Sequence, residues 1–391
     1  MKKVLILIHT LLPGGAEKVL LNLVKKLDKD KYDITVMMIV NDGVYIDEMK
    51  KIKNVKVKYI FNAYFKKQRK ENGYKNKGIH SFIMNTIWKG YNLYLKKRDN
   101  KKIYSKKIKE SYDIEIAFLE GKSAKIISNS PNENSKKIVW IHTDIVNFKK
   151  SSQAFKNKQE EVKCYNKFDE IICVSEGVKE KFEDYTKIND KTKVIHNIID
   201  IDEINIKSLE LVDDVEPVSG FLFCTVGRLI PEKGYDRLLR VCKRLKDEGN
   251  DITLWIIGEG YERVRLQQYI NENNLNSYIK LIGYRNNVYK YIKKADAFVC
   301  SSRIEGLSTV INEAVILEKP IVTTLCPGVD EILGQEDLYA CVTKNNEESL
   351  LEGMKKILKD KVAYERYEEN IKKKKELFSE LEIIKKIEEI F

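Results

Sequence analysis

Short apolar runs alternate with helix-period segments along most of this chain, and that alternation is what most constrains its fold. Lys3 to His9 reads as a strand and Leu12-Pro13-Gly14-Gly15 as a turn. Ala16 to Leu27 reads as a helix with Val19, Leu20, Leu23, Val24 and Leu27 on one face. The next strand is expected from Asp33 to Val40, and later ones at 114–119, 138–142, 170–174 and 193–196. Residues 201–219 are acidic, polar and weakly periodic, and read as a linker opening a second domain. The alternation then resumes. Strands are expected at 220–226, 252–257, 279–282, 297–300 and 321–324, with helices at 235–247, 261–273, 287–294 and 308–317 between them. A chain that keeps returning from helix to strand builds parallel sheets covered on both faces. The expected fold class is α/β, with two doubly wound Rossmann-like domains facing a cleft. Their expected bounds are 1–200 and 201–375, and a helical, charged segment at 376–391 packs back on the first domain. In such sheets ligands bind beyond the carboxyl ends of the strands, and every motif below follows a strand.

The most informative of these motifs is Ser301-Ser302-Arg303-Ile304-Glu305-Gly306-Leu307-Ser308-Thr309-Val310-Ile311-Asn312-Glu313. A strand enters a glycine-bearing turn, and a helix starts near Ser308. The free N–H groups of the turn and helix start suit a phosphate. Glu305 and Glu313, eight residues apart, can grip hydroxyls on either side of it. A phosphate flanked by polyols is a sugar nucleotide.

A second loop, Gly227-Arg228-Leu229-Ile230-Pro231-Glu232-Lys233-Gly234, also sits between a strand and a helix. Arg228 offers a fork and Lys233 a point charge, which together suit a diphosphate. The same residues also suit a surface loop with both cations solvated or paired with Glu232.

These segments, with the Gly258-Glu259-Gly260 turn and Gly283 after its strand, resemble glycosyltransferase family 4, the retaining enzymes of the GT-B fold, most strongly over about 220–330. The resemblance implies a role for each matching position. Glu305 would contact donor-sugar hydroxyls, and Gly306, Leu307 and Ser308 would offer backbone N–H groups. Glu313 would hold the ribose. Tyr284 would lie against the base, with Gly227 and Gly258 in the surrounding turns. Gly14 and Gly15, a glycine pair between strand and helix, would face the donor phosphate. His142, at a strand end, would donate to a sugar hydroxyl and help orient the acceptor, with a plain strand-end histidine as the alternative. Asp144 would help position the acceptor. Asn197, in Asn197-Ile198-Ile199-Asp200, would contact donor or hinge.

The reaction implied moves a sugar, hexosyl or N-acetylhexosaminyl, from a nucleotide-diphosphate sugar to a hydroxyl of a glycan or lipid-linked acceptor. UDP is the favoured base carrier. The expected catalytic group is Glu305, His142, Arg228 and Lys233. No D-x-D motif stands out in a strand-end context and the four histidines are dispersed, so neither metal nor cofactor is expected. The rivals are a sugar-nucleotide epimerase on a similar fold and a non-catalytic subunit that kept the fold.

Charge bears on the acceptor. Residues 1–200 carry 42 Lys and Arg against 25 Asp and Glu, while residues 201–391 carry 29 against 34. Between Lys51 and Lys109 the only acids are Glu71 and Asp99, and aromatics interleave with cations, as in Tyr64-Phe65-Lys66-Lys67 and Tyr94-Leu95-Lys96-Lys97-Arg98. Such a surface suits an anionic membrane face, with a plain solvated lysine-rich surface as the alternative. No nucleic-acid module is recognisable, so no nucleic-acid partner is expected. With no secretory signal and no spanning apolar run, the expected place is the cytoplasm, at the inner face of the cell membrane. The seven cysteines form no C-x-x-C pair and read as buried free thiols.

Overall fold

The computed structural model describes residues 1–62, 100–147, 151–216, 219–334, 337–376 and 378–391. The aromatic, cationic core of the basic segment, from Tyr64 to Arg98, lies outside them. The chain divides into two compact units, Met1–Ile198 with Glu382–Phe391, and Ile199–Leu381.

The first unit holds strands β1 (Lys2–Ile8), β2 (Tyr32–Asn41), β3 (Val55–Asn62), β4 (Ile114–Ala117), β5 (Lys136–Ile141), β6 (Glu170–Cys173) and β7 (Thr192–Val194). They form one sheet in the order β3-β2-β1-β4-β5-β6-β7, parallel throughout. Among the described residues its helices are α1 (Gly15–Lys26), α2 (Ile46–Lys51), α3 (Asn100–Lys107), α4 (Lys122–Ile127), α5 (Lys158–Tyr165) and α6 (Glu176–Thr186). β1 is central, and Val4 to Ile8 are wholly buried. A strand covered on both faces has no polar side, so its apolar run is unbroken. The sheet order reverses between β1 and β4, and there the strand ends open a crevice for ligand.

The second unit holds β8 (Phe221–Val226), β9 (Ile252–Ile257), β10 (Ile279–Gly283), β11 (Ala297–Cys300), β12 (Ile321–Thr324) and β13 (Cys341–Thr343). Their order is β10-β9-β8-β11-β12-β13, again all parallel. Its helices are α7 (Ile201–Ser208), α8 (Tyr235–Asp247), α9 (Arg263–Glu272), α10 (Tyr289–Lys294), α11 (Thr309–Ile316), α12 (Val329–Leu333), α13 (Glu347–Lys359) and α14 (Lys361–Glu376). Leu238, Leu239, Cys242 and Leu245 of α8 pack into one core with Leu254 and Ile256 of β9 and Leu350, Leu351 and Met354 of α13. The switch point falls between β8 and β11, the strands that carry the two main motifs.

A last helix, α15 (Glu380–Glu389), leads to a terminus embedded in the first unit. Phe391 meets Tyr32 edge to face at 5.4 Å, and its carbonyl accepts from Lys2 Nζ at 2.8 Å.

Two doubly wound parallel sheets are what the strand–helix alternation predicts. The linker expectation for 201–219 needs correction. Asp200 caps α7 by accepting from the Glu203 amide at 3.0 Å. Downstream, Asp214 accepts from the Tyr291 hydroxyl at 2.6 Å and from Arg285 Nε at 2.6 Å. These contacts hold the stretch on the second unit. All seven cysteines are buried and unbridged, and burial pushes the Cys242 thiol up to about 12. Among the described residues no helix is long and apolar enough to cross a membrane.

Candidate active site

β8 delivers Gly227 and Arg228 at its carboxyl end, and β9 delivers Gly258 beside them. The two turns touch closely: a Cβ built on Gly258, at φ +144°, would stand 2.0 Å from the Gly227 carbonyl oxygen. Only glycine fits that approach. The contact lets the Gly227 amide donate to Ile257 and the Gly258 amide donate to Gly283, each at 3.0 Å.

Pro231–Lys233 forms a single 3-10 turn that carries Lys233 toward β11. Lys233 Nζ donates to Glu305 Oε1, and the Ser302 hydroxyl donates to the same oxygen at 2.6 Å. The lysine and glutamate side chains are 19% and 13% exposed, so water competes weakly for the pair. Burial draws the Lys233 ammonium's pKa down, and Glu305 more than reverses this, leaving it above the ordinary lysine value. Lys233 thus pairs with Glu305 and not with Glu232. Arg228 is exposed, and its charge acts on Lys233. Among the described residues its guanidinium forms no hydrogen bond or ion pair. The site therefore holds one neutralised cation and one left open for an anion.

The segment that presents Glu305 is gripped from α8. Arg303 makes a bidentate pair with Asp236, at 2.7 and 2.8 Å, and donates to the Pro231 carbonyl at 2.7 Å. Beyond Glu305, Gly306 and Leu307 lead into α11. Ser308 occupies its N-cap position, yet its hydroxyl makes no capping bond. Among the described residues, the buried Ser308 Oγ and Asn312 Oδ1 have no hydrogen-bond partner. Asn312 is a polar group that sequence reading passed over. Glu313 follows it on α11, half-buried. Tyr284, just beyond β10, is 38% exposed and offers its ring to solvent. Its carbonyl accepts from Arg285 Nη1 at 3.2 Å.

The first unit presents its own strand-end groups. Gly14 has an extended backbone at the N-cap of α1. The Glu17 carboxylate folds back over it, with Oε2 2.2 Å from where a Gly14 Cβ would be. An anion of the chain itself therefore lies at the helix start that Gly14 and Gly15 were expected to offer to phosphate. His142 follows β5. Its backbone amide donates to Glu120 Oε2 at 3.0 Å, and the Thr143 hydroxyl donates to Glu120 Oε1. Burial pushes the Glu120 carboxyl upward. The His142 ring packs on Phe118 at 5.1 Å, and one ring nitrogen faces the Phe118 carbonyl. The other, Nε2, is buried with no partner among the described residues. Burial lowers the ring's pKa to about 3, so it is neutral near pH 7. Nε2 can therefore form a hydrogen bond with a hydroxyl.

Asp144 turns inward. Its Oδ1 accepts from the Val146 and Asn147 amides at 2.9 and 3.1 Å, and Oδ2 accepts from the Asn147 side chain at 2.7 Å. It shapes a turn, and these bonds leave it little capacity for an acceptor. Asn197 is buried near the end of the first unit. Glu120 was missed by sequence reading, because Phe118-Leu119-Glu120-Gly121 carries no recognisable spacing. Among the described residues no group of three or more His, Cys, Asp or Glu side chains is placed to hold a metal ion.

Comparison with known proteins matches residues 13–203 to the model of Glycosyltransferase Family 4, and residues 212–374 to that of Glycosyl transferases group 1. A Campylobacter jejuni relative, N-acetylgalactosamine-N,N'-diacetylbacillosaminyl-diphospho-undecaprenol 4-alpha-N-acetylgalactosaminyltransferase, is 31% identical over 56% of this chain and 59% of its own length. The lipopolysaccharide core biosynthesis glycosyltransferase LpsD of Rhizobium meliloti is 27% identical over 38% of this chain and 43% of its own. The chain thus spans about half the length of the curated relatives it matches. Among solved structures, Anabaena HepE in complex with UDP and glucose aligns with a TM-score of 0.75 at 18% identity, covering 100% of this chain and 99% of that one. A mutant of S. aureus TarM, in complex with Fondaparinux, alpha-GlcNAc-glycerol and UDP, aligns at 0.74 and 15% identity, covering 100% and 99%. At such identities the likeness is one of fold. The two family models together span nearly all of the chain, and the chain belongs to glycosyltransferase family 4, with its group 1 domain in the second unit.

Proposed function

We propose that this chain is a retaining, metal-independent glycosyltransferase. It takes a nucleotide-diphosphate sugar, with UDP as the favoured carrier, and transfers a hexosyl or N-acetylhexosaminyl group. The acceptor is a hydroxyl of a glycan or lipid-linked intermediate in bacterial surface polysaccharide or glycoconjugate synthesis. The observation that carries this reading is the pairing at the ends of β8 and β11: Lys233 neutralised by Glu305, beside an exposed Arg228 with no anionic partner among the described residues. The relatives' names support the acceptor class, since one acts on a diphospho-undecaprenol glycan and another in lipopolysaccharide core synthesis. UDP in the HepE and TarM complexes supports the carrier.

In this reading Arg228 and Lys233 face the diphosphate, and the amides of Gly306, Leu307 and Ser308 add dipoles. As the bond from the anomeric carbon to the phosphate oxygen breaks, its electron pair leaves with the diphosphate. Fixed cations stabilise that growing charge more than the ground state. The acceptor oxygen bonds to the anomeric carbon on the same face, and its proton passes to the departing phosphate oxygen. Glu305 uses its second carboxylate oxygen for a sugar hydroxyl, Glu313 takes the ribose, and Tyr284 lies against the base. His142 donates to a sugar hydroxyl. The cationic stretch between Lys51 and Lys109 holds the protein at an anionic membrane surface on the cytoplasmic side.

The test is transfer from UDP-sugars to undecaprenyl-diphosphate-linked glycans in EDTA, with the anomeric configuration of the product read by proton NMR. An α-linked product from an α-configured donor, at a rate unaffected by EDTA, supports the reading. An inverted product or loss of turnover in EDTA contradicts it.

A further inference from the structure

The first turn of α8 carries a buried charge that none of the roles above uses. Arg237 is only 5% exposed. Its guanidinium donates to the Ser301 carbonyl from Nε at 3.0 Å and from Nη2 at 2.6 Å, and Nη2 also donates to the Ser302 carbonyl at 2.8 Å and the Thr324 hydroxyl at 3.3 Å. Each of these partners is a neutral oxygen. The neighbouring carboxylate, Asp236, is engaged by Arg303 and Arg240 instead.

Burying a guanidinium against neutral oxygens is unfavourable compared with an apolar side chain of the same volume. The arrangement is therefore informative about what it holds. The Ser302 carbonyl receives three donors: Arg237 Nη2, the Thr324 hydroxyl at 2.6 Å and the Cys326 thiol at 3.2 Å. A peptide held so firmly fixes the direction of its own side chain. That side chain is the hydroxyl that donates to Glu305 Oε1 at 2.6 Å. Arg303, the next residue, is held by Asp236 on a more solvated side, at 36% and 22% exposure, where an ion pair contributes less.

We propose that Arg237 is a positioning residue: by pinning the Ser301–Ser302 backbone it aims the Ser302 hydroxyl, and through it sets Glu305 against Lys233 in the orientation the donor sugar needs. The link to the sugar rests on the function proposed above, whereas the geometry stands without a ligand.

Two readouts separate these. The first is ligand-free: the rate of reductive methylation of Lys233 by formaldehyde and cyanoborohydride, read by peptide mass spectrometry on protein shown to be folded by circular dichroism. Arg237→Met and Ser302→Ala should each raise that rate at least fivefold. The double variant should be no faster than the faster single one, because both act through one link. Arg237→Lys should restore part of the protection. Unchanged Lys233 reactivity in Arg237→Met, or effects that multiply in the double variant, would overturn the proposal. If Arg237→Met does not fold, Arg237→Lys and Ser302→Ala decide by the same criterion. The second readout is titration with UDP and UDP-sugar. Arg237→Met should bind UDP within threefold of wild type and lose the added affinity that the sugar confers. Equal loss for both ligands would mark Arg237 as structural only. Wild-type protein that binds no nucleotide sugar would sink the donor reading, with the methylation result still deciding the geometry.

Discussion

Lys233 and Glu305, 72 positions apart in sequence, form one ion pair where β8 and β11 end side by side. The pair is mostly shielded from water and shares Glu305 Oε1 with the Ser302 hydroxyl. Arg228 stands next to it as an exposed cation without an anionic partner among the described residues. Replacing Glu305 by Ala strands the Lys233 ammonium in that setting. A stability loss of about 3 kcal/mol is expected, measured by urea unfolding, together with loss of sugar transfer. Near wild-type stability would mean that the lysine relaxes to water.

The same pair sets an alkaline limit. The Lys233 pKa is raised in the fold, so its contribution is fully present below the unfolded lysine value of about 10.4 and is lost as pH rises through the higher folded value. Unfolding curves between pH 8 and 11 should show wild type losing more stability above pH 10 than Lys233→Met does. Parallel curves would remove the pair from the stability account.

Arg228→Ala should behave in the opposite way. The side chain is exposed and makes no ion pair among the described residues, so the melting temperature should stay within about 2 °C of wild type. Diphosphate binding should weaken at least tenfold. A destabilised variant with normal binding would reverse this assignment.

Gly258→Ala tests the contact between the two turns. A methyl group 2.0 Å from the Gly227 carbonyl oxygen, at φ +144°, forces the turns apart. A loss of more than about 2 kcal/mol is expected, with weaker nucleotide binding measured by calorimetry. A neutral substitution would show that the turns are not held this closely in solution.

His142 gives an acidic signature. Burial depresses its folded pKa to about 3 while the unfolded value is 6.5. Its contribution is present above pH 6.5 and is lost as pH falls toward 3, at about 1.4 kcal/mol per pH unit. His9, likewise lowered to about 3 by burial and then by Lys122, adds a second such slope. Melting curves from pH 7 to pH 4 should therefore flatten in His142→Phe without becoming level. An unaltered slope would place His142 in contact with water.

Much of the fold could be read from periodicity because the central strands are covered on both faces: β1, β9 and β11 appear as plain apolar runs. The elements that escaped are those whose surroundings break the pattern. β3 lies at the sheet edge and alternates Val55, Val57 and Tyr59 with Lys56 and Lys58, so it reads as charged surface. β13 has only three residues. α7 looked like linker because Ile206 and Leu209 are exposed, although Asp200 followed by Glu203 is a legible helix-start signal. In the site, Glu305, Lys233 and Arg228 were visible as motif positions, but their pairing was not: spacing along the chain does not say which cation meets which carboxylate. Arg237 acts from helix α8 on the carbonyls after β11, and Glu120 on the amide after β5, and those partners have no sequence pattern.

The central claim is tested most directly by calorimetric titration of the purified protein with UDP-, GDP- and ADP-sugars, repeated on Arg228→Ala. One nucleotide sugar, UDP-linked in this account, should bind, and at 100 times its Kd should raise stability by about 2.7 kcal/mol. That binding should fall at least tenfold in the variant. Absence of binding by every nucleotide sugar, or equal affinity in Arg228→Ala, would contradict the account.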